Sequence, residues 1–386
     1  MEMCIVAINY PTEKRQIHVF LDNAVKQFAD RGIRCNVIAP QSSFSYYFKK
    51  SAKRDLVSLR KTEKGAAYTV YSPLYTVFPR LHVGNVHLAD KSKFSFYRAV
   101  KKVYEQNDFH ADVIYAHFFQ AGIPAVMLGR EKGIPSFIAN GEADTLLSLR
   151  PLSRELVNRT LRDVTGIISV SSKCREEIGA LYGGDPSVME KVTVIPNAAD
   201  RERFYKMDRS ACREELYLPQ DAFIAAFTGS FIPRKGVQKV AAAVDALDGV
   251  YGIFVGTGPE KPACGKTLFC GTVKNQELAR YLNAADVFVL PTQAEGCPNA
   301  VVEAICCGLP VISSDRSFNR DILDESCAVL IDPDNQEEIT KAVQRLRDDP
   351  LERERLGKGS EERAKRLSLD ERIDSILRFI ASQGQE

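Results

Sequence analysis

Two carboxylates, Glu295 and Glu303, lie on either side of a predicted helix start, Glu295 before the helix and Glu303 inside it. Pro298 and Asn299, between them, favour the first positions of a helix. The first amides of such a helix have no partner within it, and they favour an anion. The segment therefore predicts an anion site, with Glu295 at the helix mouth and Glu303 inside. Taken alone, Glu303 also suits an early-helix carboxylate that complements the helix dipole.

The elements that must position these glutamates alternate between short apolar runs and helical periodicity. In the first half the runs begin at Met3 and recur near residues 35, 112, 135 and 166, and a fresh series begins at Ala222. Strands that alternate with helices form parallel sheets, which bind ligands at the carboxyl ends of their strands. A chain of 386 residues exceeds one usual core. We therefore expect an α/β protein with two Rossmann-like, doubly wound domains facing a cleft.

Residues 291–310, which contain both glutamates, resemble the two-glutamate signature of the family-4 retaining glycosyltransferases, which have the GT-B fold. The resemblance extends to residues 194–197, 254–259, 269–273 and 281–291, and so covers most of the chain. It implies an acceptor-binding domain over residues 1–195 and a nucleotide-sugar-binding domain over residues 196–365. It also implies that a C-terminal helix within residues 366–386 packs back onto the first domain.

The same resemblance implies roles in the second domain. Glu295 is expected near the anomeric carbon of the transferred sugar, Glu303 on the ribose hydroxyls, and the amides of residues 299–301 on the diphosphate. Lys235 matches a lysine that stabilises the leaving diphosphate. Ser230 stands where an arginine is usual, and Arg234 is expected to point elsewhere because it neighbours Lys235. The expected donor-binding residues are Gly229, Ser230, Arg234, Lys235, Thr272, Val273, Glu295, Gly296, Cys297, Asn299, Ala300, Val301 and Glu303.

Fewer residues of the first domain carry a signal. His117 follows a predicted strand, where a neutral imidazole can bind sugar or acceptor, although a structural histidine is the alternative. Asn140 stands where many family members have a histidine that contacts the donor sugar, and an amide does not titrate. The expected catalytic residues are Glu295, Lys235 and His117. The expected acceptor contacts are Tyr10, His117, Asn140 and Glu142.

Charge is divided unevenly along the chain. Residues 1–195 contain 27 Lys and Arg against 19 Asp and Glu, a net charge of +8, whereas the remainder carries −6. The excess is densest in Lys49, Lys50, Lys53, Arg54, Arg60, Lys61 and Lys64, and in Lys91, Lys93, Arg98, Lys101 and Lys102, which alternate with Phe94, Phe96 and Tyr97. Such clusters suit anionic headgroups, and a solvated charged face is the alternative. We expect a cytoplasmic protein with peripheral contact at the inner face of the plasma membrane.

Taken together, these features predict a retaining glycosyltransferase in cell-surface polysaccharide or glycolipid biosynthesis. The donor is expected to be a UDP- or GDP-linked sugar and the acceptor a hydroxyl, such as that of a lipid-linked glycan, with no metal, no further cofactor and no nucleic acid. Glu260 and Lys261 replace glycines that a Walker A loop and a dinucleotide fingerprint require. A nucleotide-sugar epimerase of GT-B architecture and a non-catalytic nucleotide-sugar-binding relative remain as alternatives.

Overall fold

The computed structural model describes residues 1–12, 17–48, 53–84, 86–142, 144–181 and 185–383. Two of the basic residues considered above, Lys49 and Lys50, lie outside these ranges. The chain divides into two compact units. The first unit comprises Met1–Ile195 together with the C-terminal segment from Ile373, and the second unit comprises Pro196–Arg372.

The first unit contains one large sheet and two small ones. Its strands are β1 (Glu2–Ala7), β2 (Arg34–Ile38), β3 (Gln41–Ser42), β4 (Val57–Lys61), β5 (Ala67–Tyr71), β6 (Leu74–Tyr75), β7 (His82–Val83), β8 (Val86–His87), β9 (Val113–His117), β10 (Ser136–Asn140), β11 (Gly166–Ser169) and β12 (Val192–Val194). The large sheet has the order β12-β11-β10-β9-β1-β2-β5-β4. All its pairs are parallel except β4 with β5, an antiparallel edge that the sequence pattern did not predict.

The order of the strands reverses between β1 and β9, where the chain leaves β1 on one side and returns on the other. Ala7 pairs with His117 there, so that the carboxyl ends of the two strands lie side by side. Such a switch point opens a crevice between the loops that follow the strands. The helices of the unit are α1 (Val19–Asp30), α2 (Ser43–Phe48), α3 (Leu88–Gln106), α4 (Phe119–Lys132), α5 (Thr145–Leu149), α6 (Arg154–Asp163), α7 (Ser172–Leu181) and α8 (Pro186–Met189).

Apolar side chains at helical spacing attach the C-terminal helix to the first unit. Ile373, Ile376 and Ile380 are buried, and they belong to the same core cluster as Met3 and Val37. Their spacing puts the three side chains on one stripe of the helix. This stripe, rather than the polar remainder of the helix, determines where it packs.

The second unit is a single six-stranded parallel sheet with the order β15-β14-β13-β16-β17-β18. This is the doubly wound order, and its switch point lies between β13 and β16. The strands are β13 (Phe223–Thr228), β14 (Val250–Val255), β15 (Thr267–Gly271), β16 (Val287–Leu290), β17 (Val311–Ser314) and β18 (Ala328–Ile331). The helices are α9 (Arg209–Glu215), α10 (Val237–Asp245), α11 (Leu278–Asn283), α12 (Asn299–Cys306), α13 (Ser317–Arg320), α14 (Gln336–Asp348), α15 (Pro350–Ala364) and α16 (Leu369–Gln383), which belongs to the first unit from Ile373 onwards.

A buried ion pair fixes the amino-terminal side of β13 and β16. Arg213 Nη2 lies 2.7 Å from Asp286 Oδ2, which also accepts a hydrogen bond of 2.7 Å from the amide of Ile224. The other guanidinium nitrogens of Arg213 donate to the carbonyl oxygens of Ala284 and Gln220. The pair is therefore fully hydrogen-bonded, which is the condition under which buried charges are tolerated.

We expect Arg213→Met to lower the free energy of unfolding by roughly 3–5 kcal/mol, because it leaves the carboxylate of Asp286 buried with its main partner removed. Arg209→Met is the matched control. Arg209 pairs with the same carboxylate but is half exposed, so its loss should cost less than about 1 kcal/mol. Urea unfolding of the full chain measures both, and equal effects of the two substitutions would contradict the argument from burial.

Candidate active site

Charged side chains from the loops after β13 and β16 meet at the switch point of the second sheet. Lys235 Nζ lies 2.5 Å from Glu295 Oε1, and Arg234 Nη1 lies 3.0 Å from the same oxygen. Thr292 donates its hydroxyl to that oxygen at 3.1 Å. Three donors thus orient one carboxylate. Two positive charges stand against one negative charge, so the cluster favours an added anion.

Arg234 corrects one sequence prediction. It was expected to point away from Lys235, yet both cations contact Glu295. The reason is local, since Pro233–Lys235 is a short 3₁₀ turn rather than a strand or an α-helix. Arg234 also donates to the carbonyl oxygen of Ala294. Its side chain is 36% exposed against 15% for Lys235, so it reaches solvent more readily than its neighbour does.

Close backbone packing holds the loop after β13 in place. Gly236 has φ +71°, and a Cβ there would lie 2.8 Å from the carbonyl oxygen of Pro291. A Cβ on Gly256 would lie 1.8 Å from the carbonyl oxygen of Gly229. Only glycine allows these approaches. Ser230 is exposed beside this contact, and the exposed Thr272 and half-buried Val273 follow β15 at the same edge of the sheet.

The helix α12 begins where the sequence predicts, with Pro298 before its first residue. Its amides differ from one another. Val301 donates to the carbonyl oxygen of Pro298 at 3.0 Å, so the expectation that this amide faces a phosphate is corrected. The amides of Asn299 and Ala300 have no acceptor among the residues that the structure describes.

Asn197 is a positioning residue. From the sequence it was expected only to be part of the segment of residues 194–197 between the domains. Its Nδ2 donates to Asn299 Oδ1 at 2.8 Å and to the carbonyl oxygen of Cys297 at 3.2 Å. It thereby holds the buried loop of Gly296 and Cys297 against the start of α12. An asparagine after a strand and a proline was the available signal.

Glu303 lies inside α12 in a half-buried position. Burial raises the pKa of its carboxyl to about 7, while the nearby Arg203 and Lys235 lower it. No side chain in the described ranges donates a hydrogen bond to it. At neutral pH the group is therefore divided between its ionised and protonated forms.

The first unit holds the remaining predicted residues, and two of them are not available. Tyr10 is 1% exposed within the apolar core, under the guanidinium of Arg60. Asn140 is fully buried and donates to Thr145 Oγ1 at 3.0 Å. Side chains so enclosed do not contact an acceptor, and both assignments are corrected. The sequence places each residue after a strand but does not reveal how deeply its side chain is covered.

His117 and Glu142 lie at the carboxyl edge of the first sheet. His117 is the last residue of β9, and its ring packs 5.0 Å from that of Phe20 and 4.6 Å from that of Phe118. Glu142 Oε1 accepts a hydrogen bond of 2.9 Å from the amide of Phe119, at the start of α4. Burial raises the pKa of Glu142 to about 7. His117 thus lies beside the switch point, as its position in the sequence suggested. One carboxylate oxygen of Glu142, by contrast, caps the start of α4.

Comparison with known families identifies the chain. The description "Glycosyltransferase Family 4" matches residues 17–203, and "Glycosyl transferases group 1" matches residues 222–349. The chain belongs to glycosyltransferase family 4. Its fold is GT-B, an α/β architecture with two Rossmann-like units.

Relatives of the glycosyltransferase agree with this. It is 28% identical over 339 residues to TuaC of Bacillus subtilis (strain 168), a protein named for a glycosyltransferase role in teichuronic acid biosynthesis, covering 85% of this chain and 84% of that one. It is 25% identical to the UDP-Gal:alpha-D-GlcNAc-diphosphoundecaprenol alpha-1,3-galactosyltransferase of Escherichia coli, covering 68% and 71%. The structure of Anabaena HepE in complex with UDP has a TM-score of 0.70, 16% identity and coverage of 99% and 100%, a likeness in fold.

We expect Glu303→Gln to stabilise the glycosyltransferase at pH 8 by up to about 3 kcal/mol, because ionising this buried carboxyl opposes folding by about 1.36 kcal/mol per pKa unit. The folded pKa is raised, so the stability of the wild-type protein falls as pH rises through about 7. The gain should shrink to less than half at pH 5. Calorimetric melting across this range measures it, with the exposed Glu214→Gln as control. A gain independent of pH would mean that shape, not charge, is responsible.

Proposed function

We propose that the enzyme transfers a hexosyl group, with retention at the anomeric carbon, from a UDP-sugar bound by the second unit to a hydroxyl acceptor bound by the first. The observation that carries the proposal is the convergence of Lys235, Arg234 and Glu295 at the switch point of the second sheet. A diphosphate fits a place with surplus positive charge beside the first amides of α12. HepE, solved with UDP, and the Escherichia coli relative, named for UDP-Gal, support uridine as the base.

Lys235 and Arg234 provide the charge that the leaving group needs. In the empty site they share the oxygen Glu295 Oε1. When a diphosphate binds, Lys235 turns to its oxygens, and Glu295 is released to accept hydrogen bonds from the sugar. Arg234 supplies the second cation that the family has at the position of Ser230, because its more exposed guanidinium lies at the same carboxylate.

The transfer needs no reactant besides the donor and the acceptor. The bond between the anomeric carbon and the diphosphate oxygen breaks, and that oxygen leaves with the electron pair. The acceptor oxygen bonds to the anomeric carbon on the same face, and its proton passes to the departing diphosphate. Positive charge near that oxygen counts most in the transition state, because the negative charge grows as the bond breaks.

We expect Lys235→Ala to reduce turnover by about 10²-fold or more while donor affinity falls less. Lys239→Ala is the matched control, since Lys239 lies on α10 and pairs with Asp334 at 3.2 Å. Transfer assays with UDP-sugars, with the anomer of the product assigned by NMR, measure rate and stereochemistry together. Near-normal turnover in Lys235→Ala with a large loss in Arg234→Ala would exchange their roles. Conversion of the donor into an epimeric nucleotide sugar would favour the epimerase alternative.

We also propose that the acceptor is a lipid-linked glycan and that the first unit touches the membrane, in the assembly of a cell-surface polysaccharide or glycolipid. The names of the Escherichia coli and Bacillus subtilis relatives support such an acceptor and such a product. In the described ranges no helix is long and apolar enough to span a bilayer. Contact would therefore rest on surface side chains, here aromatic ones flanked by basic residues.

The structure changes which aromatic residues can make this contact. Three aromatic residues were predicted for this contact. Phe96 is buried in the core, and Tyr97 donates its hydroxyl to Glu131, so Phe94 is the exposed one of the three. Other large apolar side chains are more exposed, on α2 and on β4 with the residue before it. They are Phe44, Tyr47, Phe48, Leu56, Val57 and Leu59. Lys53 lies nearby, with its Nζ 4.4 Å from the ring centre of Tyr46.

The triple substitution Phe44→Ser, Tyr47→Ser and Phe48→Ser should reduce sedimentation with anionic vesicles by tenfold or more. Binding by the wild-type protein should weaken at high salt, since each basic residue near the surface contributes about 1 kcal/mol within a Debye length. Tyr217→Ser, on the second unit and 96% exposed, is the control. Absence of wild-type binding to anionic vesicles at low salt would remove this proposal and leave transfer itself unaffected.

A further inference from the structure

A cavity of about 570 Å³ opens at the switch point of the first sheet. Asn9, which follows β1, and Gln120, in the first turn of α4 after β9, both line it. Lys93 from α3 and Arg80 contribute two cations. The cavity therefore occupies the place where doubly wound sheets bind ligands, and it lies wholly within the first unit.

The two cations in this cavity lack a counter-ion among the described residues. Lys93 Nζ donates to the carbonyl oxygen of Gln120 at 2.8 Å, and neither Lys93 nor Arg80 has a carboxylate within 4.0 Å. Asp144 also lines the cavity, but its carboxylate accepts from the amide of Leu147 and caps α5. Glu142, whose charge also acts on Lys93, accepts from the amide of Phe119 through Oε1. A concave place with two uncompensated cations favours an anion of more than one charge.

The surroundings of Lys93 favour a negative group beside it. Burial, and next the charge of Arg80, lower its pKa to about 7, whereas Glu142 raises it only in part. A lysine held so far below its usual range regains its proton when a negative group approaches. Apolar walls complete the cavity, among them Tyr75, Phe78 and Leu152. Such walls suit the face of a sugar ring next to a charged substituent.

We propose that this cavity binds the phosphate or diphosphate group of the acceptor through Lys93 and Arg80, so that the enzyme selects phosphorylated glycan acceptors. The inference rests on the proposed function, because it assigns the acceptor to the first unit. The phosphate can belong to a soluble sugar phosphate or to a lipid-linked diphosphate. Arg80 and Lys93 supply the charge, and the walls contact the sugar that carries it.

The direct test is isothermal titration with inorganic pyrophosphate, a hexose 1-phosphate and a short-chain polyprenyl diphosphate. UDP is kept saturating so that the donor site is filled. Lys93→Met and Arg80→Met should each weaken binding of the phosphate probes by tenfold or more. Lys102→Met, an exposed position on the same helix, should not. Binding of all three probes assigns the phosphate itself, and binding of the polyprenyl compound alone assigns the lipid source.

The pH dependence of phosphate binding shows whether the charge of Lys93, rather than the shape of the cavity alone, contributes to the affinity. Wild-type affinity should fall as pH rises from 7 to 9, by at most about tenfold per unit, because free Lys93 loses its proton there. Lys93→Arg should keep the affinity and flatten this slope, since arginine stays charged. Glu142→Gln removes the other nearby group that titrates near 7. Arg80 and Asp144 are the remaining charged side chains that line the cavity.

The outcomes distinguish this inference from the proposed function. Normal UDP binding with no phosphate binding, or with binding unchanged in both variants, overturns the phosphate site alone. Loss of UDP binding by the wild-type protein overturns the proposed function as well. If Lys93→Met fails to fold, as judged by its melting curve, the exposed Arg80→Met carries the test.

Discussion

The carboxylate of Glu295, shared by Lys235 and Arg234, is the interaction on which the switch point of the second unit depends. It joins two loops that leave neighbouring parallel strands in opposite directions, and it exists only because β13 and β16 adjoin at the switch point. Gly236 lets the first loop approach the backbone of Pro291, which no larger residue would allow. Two cations on one carboxylate leave this cluster with a net positive charge.

The two units use the same architecture and differ in how their charge is balanced. In the second unit a carboxylate holds the two cations at the switch point, so that a ligand must exchange with it. In the first unit Lys93 donates to the carbonyl oxygen of Gln120, and the nearby carboxylates of Asp144 and Glu142 accept hydrogen bonds from backbone amides. Both sheets are doubly wound, so the difference lies in what the carboxylates of each unit contact.

Several ionisable groups near these sites have pKa values close to neutral pH. Burial raises the pKa of Glu303 and of Glu142 to about 7, and it lowers the pKa of Lys93 to about 7. Each lowers the stability of the protein, in contrast to the fully bonded Arg213 and Asp286 on the far side of the sheet. Conflicts between stability and placement are expected where ligands bind. Stability and pH are therefore coupled in both units.

The sequence by itself determined the two α/β units, most strand positions, the helix that follows Glu295 and the family, because these depend on local periodicity and on short motifs. Tertiary structure alone decided which side chains reach a ligand. Tyr10 and Asn140 follow strands as expected but are buried, because packing from elements distant in sequence covers them. Arg234 turns towards Glu295 because a 3₁₀ turn replaces a regular element. Lys93, one of many basic residues in the sequence, differs from its neighbours because folding places it in a cavity, where it donates to the carbonyl oxygen of Gln120.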